Sequence, residues 1–421
     1  MLIRSLAVLA LLAACNGGTQ LLDRDQVVDR LSAKDLGRLD SPIADRRPTP
    51  SDGKADADPC ARVAGPADRP RKVVVSHPFK SGGGKVGLFE VLDLSTDGKL
   101  SAPGQTFTLG AAATDGEIVF TPDGKIGAVA LEDGTIGVFR LQATGPQVVH
   151  AGFQGKFYAA ALVPAPDGQR LYVLDSEWRT TGGGIYAVKI GCDGTLVDEG
   201  LVAASKLPYA MLLLAATAPA QAVVVAKDIL SSTAKTEVHL VNLTPTPAWV
   251  SGVDAFGDEE AIVSSAALTA DGRYVLAADA SIFSSTGSRV AVVEVLATGT
   301  LRAAQVLTGL KDPAAVITSP HNDTALVVGC EANKITVLDY NPASTTTPFS
   351  VRGAVTTSTS PQLPSTAVMI RRGALTGRVI IAENVSLRQL QLAKGGAVTE
   401  TQLLSLGSGV TAIPGALGVQ P

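Results

Sequence analysis

The chain has 421 residues, of which 46% are hydrophobic, 4% aromatic and 18% charged, with a formal net charge of −4. This apolar content excludes a wholly disordered chain and is enough for a large core. The slight acidity and the lack of a basic stripe argue against nucleic acid as a partner.

The first residues address the chain to an export route. Arg4 precedes a short apolar run over residues 5–12, and Leu12, Ala13, Ala14 and Cys15 end it. The run is too short for a permanent membrane helix and reads as a signal peptide over residues 1–14. Leu-Ala-Ala-Cys resembles a bacterial lipobox. The resemblance implies that Cys15 becomes the lipidated first residue, anchored to a membrane of the cell envelope by its acyl chains. Residues 15–70 then read as a mostly disordered tether. Residues 21–39 alternate charges with Leu and Val, as in a short amphipathic helix, and residues 41–59 are rich in Pro and Asp. About 45 flexible residues reach roughly 35–40 Å in root-mean-square distance.

From Arg71 to the end the chain repeats itself about every 50 residues. The clearest copies are FTPDGKIGAVALEDGTIGVFRL (120–141), VPAPDGQRLYVLDSEWRTTGGGIYAVKI (163–190) and LTADGRYVLAADASIFSSTGSRVAVVEV (268–295). Each holds a strand, a Pro-Asp-Gly-like turn, a second strand, an acidic residue, a third strand and a hairpin. A period of this length with several strands per unit predicts a β-propeller, all-β, over residues 71–421. Second strands are expected at 73–76, 126–131, 171–174, 222–226, 274–278, 325–329 and 379–382, so the ring has seven blades of four antiparallel strands. Third strands follow at 86–94, 136–141, 185–190, 237–243, 289–295, 335–340 and 387–392. Nothing before Arg71 resembles an inner strand for the first blade. Residues 413–420, IPGALGVQ, resemble the openings of other units, so the C-terminal strand is expected to complete the first blade and close the ring.

The unit PDGQRLYVLDSE…GGIYAVKI…DGTL (166–196) resembles the YVTN-type and lactonase-like seven-bladed propellers, mostly bacterial. That likeness covers residues 71–421 and rests on structural turns, so it implies the fold and no particular chemistry. No lactonase catalytic constellation matches: His77, His150, His239 and His321 fall in different units, and none is expected to pair with an acid and an Arg.

Six units place an acid at or near the turn after the second strand: Glu132, Asp175, Asp228, Asp279, Glu331 and Glu383, with His77 in the first. Such a ring suits a hard cation, which wants several carboxylate oxygens. Acids at turns also cap backbone amides, and duplication copies that chemistry around a ring. The turn reading is preferred, with no metal, because calcium loops concentrate their acids in one segment. The Gly-rich runs at 82–84 and 182–184 lack the Lys-Ser/Thr of a phosphate loop, and no motif calls for a cofactor. Beyond Cys15 there are Cys60, Cys192 and Cys330, enough for one disulfide with one thiol over. Cys60 with Cys192 is one pairing, and Cys330 reads as a small apolar residue in a strand.

Two functional classes follow. The preferred one is a lipid-anchored binding or scaffold module whose protein or small-molecule ligand sits on the acid-bearing face. There the third, fourth and fifth units have long loops carrying Trp178, Ile229, Leu230, Ile282 and Phe283. The alternative is a lactonase-like hydrolase with a site at the channel mouth.

Overall fold

Runs such as VVVSH and VLAAD put apolar side chains on both faces of a strand, which is stable only when a second sheet covers each face. In the computed structural model this cover comes from a ring of blades. The structure describes residues 62, 64–114, 116–177, 181–204, 206–214, 220–228, 237–244, 246–257, 261, 263–279, 288–330 and 332–421, without the side chains of Lys227, Asp228 and Ser264. Cys15, Cys60, Trp178, Ile229, Leu230, Ile282, Phe283 and Glu331 lie outside the described residues. Among the described residues no helix is long and apolar enough to cross a membrane.

Seven four-stranded antiparallel sheets form the blades of a propeller. The innermost strands of blades two to seven are Val119–Phe120, Ala161–Pro164, Lys206–Leu213, Val263–Leu268, Pro313–Thr318 and Ala367–Met369. Blade one is completed by Leu417–Val419, which pairs with Arg71–Phe79 in the register Val73↔Val419, Val74↔Gly418 and Val75↔Leu417. Ring closure by the C-terminal strand is therefore as expected from the sequence. The second strands also fall where expected, for example Tyr274–Asp279 and Arg378–Glu383.

The core is a set of thin layers between neighbouring blades. Along the strand Arg71–Phe79, Val73 and Val75 pack on blade seven with Ile370, Ile380 and Leu387. Val74 points the other way, onto Ile118, Phe120 and Leu131 of blade two. The strand alternation thus feeds two interfaces at once, which explains the nearly unbroken apolar runs. With few aromatics, these layers are made largely of Val, Ile, Leu and Ala.

The meander fixes two faces. Turns between second and third strands and the links between blades lie on one face, here called upper; turns between first and second strands lie on the lower. The Asp-Gly pairs are turns, with Gly98 at φ 86° and Gly194 at φ 91°. One expectation is overturned: Cys330 is not a spare thiol, because both it and Cys192 are disulfide-bonded.

Candidate active site in the axial channel

The expected ring of acids sits at the upper ends of the second strands, and its described members are engaged within the protein. Asp175 is fully buried and accepts the amides of Tyr158 at 3.0 Å and Glu177 at 2.9 Å. Burial raises its pKa, against those hydrogen bonds. Asp279, also fully buried, takes both Nε and Nη2 of Arg289, at 3.1 and 2.7 Å. Glu383 is held by Arg388, which also reaches Glu400 on the outer strand; the Arg388 and Glu383 side chains are essentially inaccessible. Glu132 pairs with Lys85 of blade one. Asp228 ends its strand at the corresponding place, and Glu331 lies outside the described residues. These carboxylates cap and clamp the blade ends. Among the described residues no group of three or more His, Cys, Asp or Glu stands together as a metal site.

His77 does pair with an acid: its Nε2 lies 3.0 Å from Glu90 Oε2, while Glu90 Oε1 accepts the Gly104 amide at 2.6 Å. The hydrogen bond from His77 holds the Glu90 carboxyl below its usual range, against the effect of burial. Glu90 follows Phe89 in the third strand of blade one, and the pairing joins neighbouring strands that sequence spacing alone does not reveal. His239 is buried elsewhere, with Nε2 3.1 Å from the Ala226 carbonyl and its ring edge-on to Trp249.

The axis itself carries the residues that sequence reasoning missed. Small residues occupy many inner-strand positions, among them Ala416 opposite Ser76, Ala161 opposite Leu174, Ala210 opposite Val225, Ser265 opposite Ala278, Ala315 opposite Val328 and Thr366 opposite Ala382. In blade two, Ala113 pairs with Leu131, and Glu117, ahead of the short inner strand, bridges in parallel to Leu417 of the closing strand. Glu117 is exposed to solvent, yet the protein around it displaces enough water to raise its pKa, and the Arg371 charge opposes that rise. Its backbone is fixed by the closing strand: Ile118 donates to the Leu417 carbonyl at 2.9 Å, and Leu417 donates to the Gly116 carbonyl at 3.1 Å.

Arg371 comes from the lower end of blade seven, just after the inner strand Ala367–Met369. It too is solvent-exposed and desolvated, with Glu117 as the charge that supports its protonation. On another wall Tyr209 sits at a β-bulge between Pro208 and Ala210, which takes it out of the regular ladder. Burial raises the Tyr209 phenol and keeps it a hydrogen-bond donor at neutral pH. The channel thus offers a proton acceptor of raised pKa, a fixed cation within its electrostatic reach and a neutral phenol. The signal available in the sequence was an acid just ahead of an inner strand, in GEIVF (116–120).

No protein-family model and no curated protein matches this chain. Solved structures do. The periplasmic gluconolactonase of Pseudomonas aeruginosa aligns at 15% identity with a TM-score of 0.59, over 84% of this chain and 99% of that one. A putative 6-phosphogluconolactonase from Bacteroides fragilis aligns at 12% with a TM-score of 0.56, over 84% and 98%. A Lactobacillus plantarum protein aligns at 14% with a TM-score of 0.59, over 83% and 99%. At these identities the likeness establishes the seven-bladed fold, with lactonases among its neighbours.

Proposed function

We propose that the chain is a lactonase-like hydrolase acting in the axial channel, with Glu117 as its proton-transfer group. The observation that carries this reading is Glu117 itself: a water-accessible carboxylate of raised pKa, held by the closing strand and within reach of the Arg371 charge. A base of raised pKa is better matched to neutral operation than an ordinary carboxylate. The fold neighbours that are lactonases suggest the reaction.

Glu117 takes a proton from water as the water oxygen attacks the lactone carbonyl carbon. Negative charge gathers on the carbonyl oxygen, where the Arg371 guanidinium stabilises it. The tetrahedral centre then collapses, the ring C–O bond breaks, and Glu117 returns the proton to the departing ring oxygen. The product is the hydroxy acid, so lactone plus water balances. Tyr209 supplies a donor for a substrate hydroxyl.

The test is hydrolysis of five- and six-membered aldonolactones, followed by acid release, in wild type and Glu117→Gln. Turnover in the wild type above the spontaneous rate, and its loss in the variant, supports the reading. Absence of turnover across the panel contradicts it. The proposed location is the cell envelope, with Cys15 lipidated; Cys15→Ser is expected to move the protein from the membrane fraction to the soluble one. The binding-scaffold reading rests on loops outside the described residues and gains no support from the structure.

A further inference from the structure

The lower rim of the channel brings the charges of Arg69, Arg71 and Arg372 together. Residues 64–70 run under the ring before the first strand begins. Asp68 Oδ1 accepts the Ala374 amide of blade seven at 2.6 Å. Arg69 reaches across to the Asp123 carbonyl of blade two, at 3.2 Å, and to the Pro421 oxygen, at 3.4 Å. Arg71 donates to the carbonyls of Ala67, at 2.9 Å, and Arg372, at 2.8 Å. This strap brings Arg69 and Arg71 beside the Arg371-Arg372 turn.

Three features mark this cluster as a site for an anion. First, both acceptors of Arg71 among the described residues are main-chain carbonyls, so no carboxylate is paired to its charge, whereas Arg69 meets the Asp123 carbonyl and the terminal Pro421 oxygen. Second, Arg71 is only 2% exposed, and its Nε–H, like that of Arg69, is buried with no acceptor. A buried guanidinium with an orphan donor is costly and calls for an electronegative partner. Third, Arg372 is exposed and accessible to solvent. Repulsion from Arg372 and Arg69 adds to burial in destabilising the Arg71 charge, and Asp68 only partly offsets it. Arg62, further along the strap, is a useful contrast, because Asp123 and Asp167 lie within its electrostatic reach.

We propose that the lower rim binds a small phosphate-class dianion, with Arg372 as its accessible arm, half-buried Arg69 beside it and buried Arg71 behind. Planar guanidinium forks suit tetrahedral oxyanions, and a dianion neutralises more of this charge than a carboxylate does. The site lies at the opposite end of the molecule from the capped acids of the upper face. It does not depend on Glu117.

The test uses the full chain and inorganic phosphate. Thermal unfolding is compared in phosphate, acetate and chloride at equal ionic strength, and ³¹P line broadening is followed on addition of protein. At about 10 mM phosphate the wild-type Tm is expected to exceed the chloride value by roughly 2 °C or more, with saturation. Arg372→Ala, an exposed change, is expected to keep the chloride Tm and lose both the phosphate increment and the line broadening. Arg69→Gln provides the second variant, read against its own chloride Tm. No phosphate-specific increment, an increment equal in acetate, or one that survives in Arg372→Ala overturns the proposal. Lactone turnover plays no part in these readouts, so they stand apart from the hydrolase reading.

Discussion

The Leu417 carbonyl accepts the Ile118 amide at 2.9 Å, which ties the last strand of the chain to blade two as well as to its own blade. Closure of the ring and placement of Glu117, the neighbour of Ile118, are therefore one structural event. Gly418 is required there for a steric reason: a Cβ on it would come within 2.1 Å of the Ile118 carbonyl oxygen.

Gly418→Val is accordingly expected to destabilise the fold by about 1–3 kcal/mol through forced separation of the two strands. Truncation after Leu406 removes Ile413, Ala416 and Leu417 from the core and unpairs the edge of Arg71–Phe79. Its expected cost is about 5 kcal/mol or more. Denaturant melts of both variants check this, and unchanged midpoints would contradict the closure role.

His77 and Glu90 set an acid limit on stability. The Glu90 carboxyl titrates lower in the folded protein than the roughly 4.3 of an unfolded chain. Its stabilisation is then fully present above the unfolded pKa and is lost as pH falls through the folded one. Glu90→Gln is expected to lower stability at pH 7 by about 1.5–3 kcal/mol, the range for a buried hydrogen bond to a charged group. It should also flatten the acid limb, as unfolding free energies between pH 2 and 7 will report.

Arg388 is buried between two carboxylates. Arg388→Met leaves Glu383 without its counter-charge, and the expected loss is about 3–5 kcal/mol. Adding Glu383→Gln to that variant removes the stranded charge and is expected to recover a good part of the loss. A double-mutant cycle by chemical denaturation measures the recovery.

Glu117 predicts the opposite pH trend from Glu90. Its pKa is raised in the folded state, so folding binds its proton more tightly than the unfolded chain does. The associated stability is present below the unfolded value and is lost as pH rises through the folded one. Glu117→Gln is therefore expected to be at least as stable as wild type at pH 7 while losing activity. Melting curves at pH 4 and 7 distinguish this from a structural role, in which the variant would be less stable at both.

Much of the fold was legible because one physical rule repeats. Strands buried on both faces need continuous apolar runs, and tight hairpins need residues that tolerate positive φ, so blade number and closure could be read from VVVS, LYVL and the Asp-Gly turns. The site was less legible for a matching reason. Acids such as Asp175, Asp279 and Glu383 recur at each turn and draw attention, yet they serve the blades that carry them. Glu117 occurs once, and its place beside Leu417 of the closing strand appears only when the two ends of the ring meet. The Arg69, Arg71 and Arg372 cluster joins residues from opposite ends of the chain, and the His77–Glu90 pair spans two strands; sequence spacing encodes neither.

The most direct test of the account is the pH dependence of kcat/KM for aldonolactone hydrolysis, corrected for the spontaneous reaction, in wild type and Glu117→Gln. The account predicts a wild-type rate that rises with pH through an ionisation above the ordinary carboxylate range. In Glu117→Gln that limb should disappear and the rate fall by about 10²-fold or more, as expected for loss of a general base. A Glu117→Gln variant that keeps the wild-type rate and pH limb would contradict the account.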